Sequence, residues 1–216
     1  MEKPDDVLER DVRDELDWDP AIDDSKVTVG AQGGKVMLTG SVANFHERSV
    51  ATDDAWRVSG VKSVENDIVV GGPPAPVADQ SLSTTCRQAL DHDSMVPNGA
   101  VTPKVQDGWV TLTGRVRHHF QRQEAKRVVS RVPGVLGITD EVTISGDPIP
   151  SDVAYRIDKA LRRKALLDGS IITVTNTQST VYLDGTVDSW AAFEEADDTA
   201  WNAPGVTSVV NRLVVR

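Results

Sequence analysis

The sequence predicts an α+β protein made of three tandem αββαβ modules, each a three-stranded sheet with two helices packed on one face. Three observations predict it. One phrase recurs, as "VMLTGSV" at 36–42, "VTLTGRV" at 110–116 and "VYLDGTV" at 181–187. A second glycine follows the glycine of each phrase by 20 residues, pairing Gly40 with Gly60, Gly114 with Gly134 and Gly185 with Gly205. Upstream, Leu8, Val12 and Leu16 keep the same offsets as Leu82, Cys86 and Leu90, and as Val153, Ile157 and Leu161. Self-similarity at a fixed interval marks a repeated structural unit.

Each element follows from its periodicity. In "DDVLERDVRDELDWD" Val7, Leu8, Val12 and Leu16 recur every three or four residues, which is one face of a helix. In "KVTVGAQGGKVMLTGSV" Val27 and Val29 alternate, "AQGG" turns, and Val36, Leu38 and Val42 lie on one side. That is a two-stranded hairpin. Gly40 interrupts the second strand, which predicts a bulge or a close backbone approach. Helical spacing returns through Phe45, Val50, Ala51, Ala55 and Val58. Gly60 is then expected to cap the helix C-terminus, as Gly134 and Gly205 are in the other copies. "VKSVENDIVV" closes the module as a strand. The modules are expected at residues 5–71, 79–145 and 150–216. "GGPPAPVAD" and "SGDPIPSD" join them, and their proline content makes short, semi-rigid linkers.

Composition sets the class. The chain has 216 residues, 39% hydrophobic and 26% charged, as a folded, water-soluble protein does. No apolar run reaches the roughly 18 residues of a membrane span. The N-terminus is acidic and lacks an apolar core, so the chain as given is expected to be cytoplasmic, and periplasmic only if a leader was removed. The lone Cys86 lies on an apolar stripe and is expected in the core, with no internal disulfide. A net charge of −10 argues against nucleic acid as a partner.

The repeated residues carry a family resemblance. "V-x-L-x-G-x-V", a helix, and then "V-x-G-V-x-x-V-x-N-x-[IVL]-x-V" resemble the BON domain, named for bacterial osmotically inducible and nodulation proteins. The glycines Gly40, Gly60, Gly114, Gly134, Gly185 and Gly205 fall on its two glycine positions, and Asn66 and Asn211 on its polar position in the last strand. Module 2 departs there, with Asp140. The resemblance covers nearly the whole chain. It implies non-enzymatic binding modules of envelope and osmotic-stress proteins. Some relatives bind anionic phospholipids, one group binds potassium, and others stabilise or build larger assemblies.

Chemistry motifs are sparse. No phosphate loop, zinc spacing or nucleophile elbow is present, so no catalytic residue, metal ligand or cofactor is expected. His118 and His119 are read as a solvated helix entry. "DWD" at 17–19 and "DHD" at 91–93 place paired carboxylates at equivalent positions, which could hold a hard cation such as potassium or calcium. A calcium loop needs more oxygen ligands than these, and module 3 has Arg162 and Arg163 near the equivalent place. Trp56 and Trp201 occupy equivalent positions, either capping their own cores or making contacts between modules.

Charge is distributed unevenly. Residues 1–72 hold 8 basic and 16 acidic residues, 73–146 hold 8 and 7, and 147–216 hold 7 and 10. The second helix of module 2 and its approach carry Arg115, Arg117, Arg122, Lys126 and Arg127 beside Phe120. A basic helix with an aromatic neighbour is a docking site for an anionic lipid surface or another anionic ligand. The first helix of module 3 adds Arg156, Lys159, Arg162, Arg163 and Lys164. Two function classes stay open. One is a binding module for an anionic membrane, ligand or protein partner in a stress response. The other is a structural adaptor that assembles with itself or with a larger complex.

Overall fold

The computed structural model describes residues 3–71, 77–146 and 148–215. Most of the first linker and Asp147 of the second lie outside the described residues. Each repeat has the αββαβ order. Module 1 runs α1 (Asp5–Trp18), β1 (Val27–Gln32), β2 (Lys35–Val42), α2 (Phe45–Arg57) and β3 (Ser63–Val70). Module 2 runs α3 (Asp79–His92), β4 (Val101–Gln106), β5 (Trp109–Val116), α4 (His119–Ser130) and β6 (Gly137–Ile144). Module 3 runs α5 (Val153–Leu161), β7 (Ile171–Thr177), β8 (Thr180–Val187), α6 (Trp190–Trp201) and β9 (Ser208–Val215). Compactness divides the chain into residues 1–114 with 124–141, and residues 115–123 with 142–216.

In each sheet the second strand of the module is central. β1 pairs antiparallel with β2, and β3 pairs parallel with β2. β7, β8 and β9 repeat that pattern. The hairpin turns need positive φ at their tips, which Gly33, Asp107 and Gln178 adopt at equivalent places. In two modules an acidic residue at the start of the first helix ties down that turn. The Gly33 N–H donates to Asp5 at 2.8 Å, and the Asp107 and Gly108 N–H groups donate to Asp79 at 2.8 and 3.1 Å.

The expected apolar stripes form the cores. Leu8, Val12, Leu16, Val36 and Leu38 are buried together in module 1, and Val153, Ile157, Leu161, Val181 and Leu183 in module 3. Leu82, Cys86, Leu90, Val110 and Leu112 are buried in module 2. Burial pushes the Cys86 thiol up to about 11, so it stays a neutral core group.

The polar residue of the last strand has a structural role. Asn66 donates to the Arg48 carbonyl at 2.9 Å and to the Thr52 hydroxyl at 2.7 Å, fastening β3 to α2. Asn211 donates to Asp197 at 3.0 Å, fastening β9 to α6.

The central-strand glycines are explained by close approach. A Cβ at Gly40, Gly114 or Gly185 would lie 2.0, 2.1 or 1.9 Å from the carbonyl oxygen of Lys26, Ala100 or Ile171. The second glycines differ in part from expectation. Gly60, Gly134 and Gly205 do have positive φ, of 99°, 99° and 79°. They do not cap the helices, however. α2 ends at Arg57 with Val58 as its cap, and α6 at Trp201 with Asn202 as its cap. The glycines instead reverse the chain between helix and last strand, a turn that needs φ above zero.

Candidate functional site

The five basic residues of module 2 fall into two environments. Arg115, the next-to-last residue of β5, is exposed. Arg117 follows in the corner before α4, also exposed, with its N–H donating to Gln121 Oε1 at 3.0 Å. The same oxygen accepts the His118 N–H at 3.0 Å, so Gln121 closes the entry to α4. Phe120 is 45% exposed and stacks on His118 with ring centroids 5.6 Å apart. Arg122, half-buried, lies one step further along α4. This stretch carries one exposed aromatic side chain and three cations within eight residues of sequence.

Lys126 and Arg127 are differently engaged. Glu124 is buried and pairs with Arg127, whose Nε donates to Glu124 Oε2 at 2.7 Å. Lys126 lies within the field of Asp53 on α2. Burial raises the Asp53 carboxyl above its usual range, while Arg57, His46 and Lys126 draw it down. His46, at the start of α2, is held below the usual imidazole range by burial and then by Arg131 and Arg127. The C-terminal end of α4 and α2 are therefore electrostatic neighbours. A cleft lined by Lys26, Asn44, Glu47, Arg131 and Gly134 lies at the same place. It mixes both signs of charge.

His119 is not a solvated entry. Its ring stacks on Trp201, centroids 4.1 Å apart and 13° from parallel. Trp201 also packs against the core of module 3, so both readings of this residue hold at once. Trp56 packs against the core of module 1.

Sequence reasoning missed Asp54. It is 0% exposed on α2. One carboxylate oxygen accepts from Arg57 at 2.6 Å, and the other is buried with no hydrogen-bond partner. Burial pushes this carboxyl up to about 6; Asp19, Glu15 and Asp53 add to the rise, and Arg57 opposes it. The signal was its place beside Ala51 and Ala55, on the buried stripe of α2.

"DWD" and "DHD" do not converge on a cage. Asp19 accepts the Ala21 N–H at 2.8 Å, and Asp93 the Met95 N–H at 2.8 Å. Among the described residues no group of three or more histidine, cysteine or carboxylate side chains could hold a metal ion. Nor is any helix among them long and apolar enough to cross a membrane.

Comparison with known proteins matches these features. The family model described as "BON domain" fits residues 4–72, 78–146 and 151–216. Osmotically-inducible protein Y of Escherichia coli K12 is 31% identical over 190 residues, 82% of this chain and 92% of that protein. CdsD, a structural protein of the type III secretion system of Chlamydia trachomatis, is 16% identical, with 98% of this chain and 92% of that one covered. Its TM-score of 0.27 supports no inference about this chain. The three matched segments take in nearly every residue, and the chain belongs to the BON-domain family.

Proposed function

We propose that this chain is a non-catalytic binding protein of a stress response, and that it contacts anionic phospholipid headgroups at the corner where β5 meets α4. Phe120 carries the reading. It is an exposed ring that follows the exposed Arg115 and Arg117 by five and three residues in sequence, with Arg122 on the same helix. An apolar group set among cations suits the headgroup boundary, where the ring enters and the cations meet phosphate. Arg127 contributes less, because Glu124 already pairs with it, and Lys126 lies in the field of Asp53. Similarity to a protein named for osmotic induction supports the stress role. The residues common to all three modules are glycines and core positions, which serve the fold rather than a reaction.

Co-sedimentation with phosphatidylglycerol vesicles tests this. Each cation near an anionic surface contributes about 1 kcal/mol, so losing two weakens binding roughly thirty-fold. Wild type should pellet at low salt and fade near 0.15 M, where the Debye length is about 8 Å. Arg115→Glu/Arg117→Glu should stay in solution, and Lys126→Glu should behave almost as wild type. Equal pelleting of wild type and the double variant, or no pelleting by wild type, would refute the proposal.

A further inference from the structure

The first helices of the three modules hold equivalent positions and differ in sign. Residues 5–19 contain eight acidic and two basic side chains, 79–93 three and one, and 150–164 two and five. The inversion runs position by position. At equal offsets from Gly40 and Gly185, Asp11 becomes Arg156, Asp14 becomes Lys159, Asp17 becomes Arg162 and Asp19 becomes Lys164. Trp18 becomes Arg163. One face of one fold is therefore acidic at the start of the chain and basic near its end.

Both faces have shape. In module 1, Asp11, Asp14, Glu15 and Trp18 line a shallow cleft. Trp18 is 86% exposed, an open ring surrounded by carboxylates. On α2, Asp54 is close enough to Asp19 and Glu15 to feel their charge, and one of its oxygens is buried where no hydrogen bond reaches. Internal pairing is incomplete: Lys3 and Arg10 turn to Asp11, and Arg13 to Glu9, which leaves most of the carboxylates in excess. In module 3, Arg156, Arg163 and Lys164 rim a groove floored by the buried Ile157 and Thr199. Asp158 holds Arg162, and Glu195 holds Lys164. Arg156, Lys159 and Arg163 remain on the exposed side.

We propose that the basic first helix of module 3 docks on the acidic first helix of module 1 in a second copy of this chain, so that two chains close an antiparallel dimer through two such pairs. Charge complementarity selects the occupant. Module 1 against module 1 sets six net negative charges against six, and this repulsion excludes the parallel arrangement. In the antiparallel arrangement each chain presents its acidic helix to the partner's basic one, and a two-fold axis relates the two pairs. The ring of Trp18 offers its face to an arginine of the partner helix, a contact that strengthens as water leaves. These charges are largely exposed, so they set partner choice and association rate more than tightness, and salt weakens the pair.

Light scattering coupled to size exclusion tests the proposal with the full chain. At about 20 mM salt, where the Debye length is on the order of 20 Å, wild type should run as a dimer at tens of micromolar. At about 0.5 M salt, with screening over roughly 4 Å, it should run as a monomer. Arg156→Glu/Arg163→Glu alone should be monomeric, and so should Asp14→Arg/Asp17→Arg alone. An equimolar mixture of the two variants should restore a dimer, because each now carries the face the other lacks. A wild-type monomer at low salt would overturn the proposal. So would a dimer indifferent to either reversal, or a mixture that stays monomeric. A monomer that expands on reversal would assign the contact to modules within one chain, and would overturn it equally. The reversals leave Arg115, Arg117 and Phe120 intact, so failure here is separate from failure of lipid binding.

Discussion

Raising the pH from about 5 to about 7.5 should destabilise module 1 through a single carboxyl, that of Asp54. The group is 0% exposed, and only one of its oxygens has a partner, Arg57. Burial first, and then the negative neighbours Asp19, Glu15 and Asp53, push it from 3.8 up to about 6. A folded-state pKa above the unfolded one means that the folded chain holds the extra proton between these values. The stabilisation is full below about 4 and is lost as pH rises through about 6. The shift of about two units corresponds to roughly 3 kcal/mol at 1.36 kcal/mol per unit. Only the part of that shift above pH 5, about one unit, falls inside the interval, so about 1–2 kcal/mol should be observed. His46 acts in the opposite direction, because burial, Arg131 and Arg127 lower its pKa and it disfavours folding when charged. The measurement is therefore a difference between wild type and Asp54→Asn. Urea unfolding, followed by hydrogen exchange in peptides from β2, reports module 1 alone. Wild type should lose about 1–2 kcal/mol relative to Asp54→Asn between the two pH values. Parallel pH profiles would refute the account of Asp54 as the titrating group.

Two further outcomes follow from packing and backbone geometry. Leu112 is 0% exposed, so Leu112→Ala should destabilise module 2 by roughly 2–5 kcal/mol, and an unchanged urea midpoint would remove it from the core. Gly114→Ala should cost clearly more than Gly99→Ala. Both have positive φ, a strain of about 1–2 kcal/mol. Only at Gly114 would the new methyl also meet a carbonyl oxygen at 2.1 Å, whereas nothing lies within 4 Å at Gly99. Equal costs would show that the approach of Ala100 is not what requires glycine.

The fold was legible because burial repeats. Leu8, Leu82 and Val153 face their cores for the same reason, and three copies make the stripe visible where one would be ambiguous. The site was legible only in composition. "RVRHHFQRQEAKRVVSR" reads as one basic patch. Glu124 is buried and holds Arg127 within α4, and Lys126 lies in the field of Asp53, which is not visible without knowing where α2 lies. His119 is similar: an imidazole after a strand looks solvated until Trp201, 82 residues later, covers its ring. Asp54 and Glu124 read as ordinary helix acids because burying a carboxylate is costly and sequence expects it outside. The cap assignment of Gly60 failed for a local reason. Positive φ is common to helix caps and to plain turns, and the residue type does not separate them.

The repeats are internal controls that separate what folds from what binds. Positions shared by all three modules are the paired glycines and the core. Many of the positions that diverge lie on the surface, and some diverge in coordinated sets. On the open side of the sheets, Lys35 pairs with Glu65 at 2.6 Å in module 1. At the equivalent places in module 2, Trp109 donates to Thr139 at 2.8 Å and lies over Gly137, where a Cβ would approach its ring to 2.4 Å. Module 3 has Thr180, Ser208 and Val210 there. A tryptophan thus arrives together with the glycine that makes room for it and the hydroxyl that accepts its N–H. Drift at single positions would not produce that combination. Avidity for a repeated ligand would require three like surfaces, since the gain comes from engaging the same site several times. These surfaces differ in sign, in aromatic content and in partners. Three copies in one chain therefore carry three different surfaces on a common scaffold: an acidic face, a cationic stretch with an exposed ring, and a basic groove.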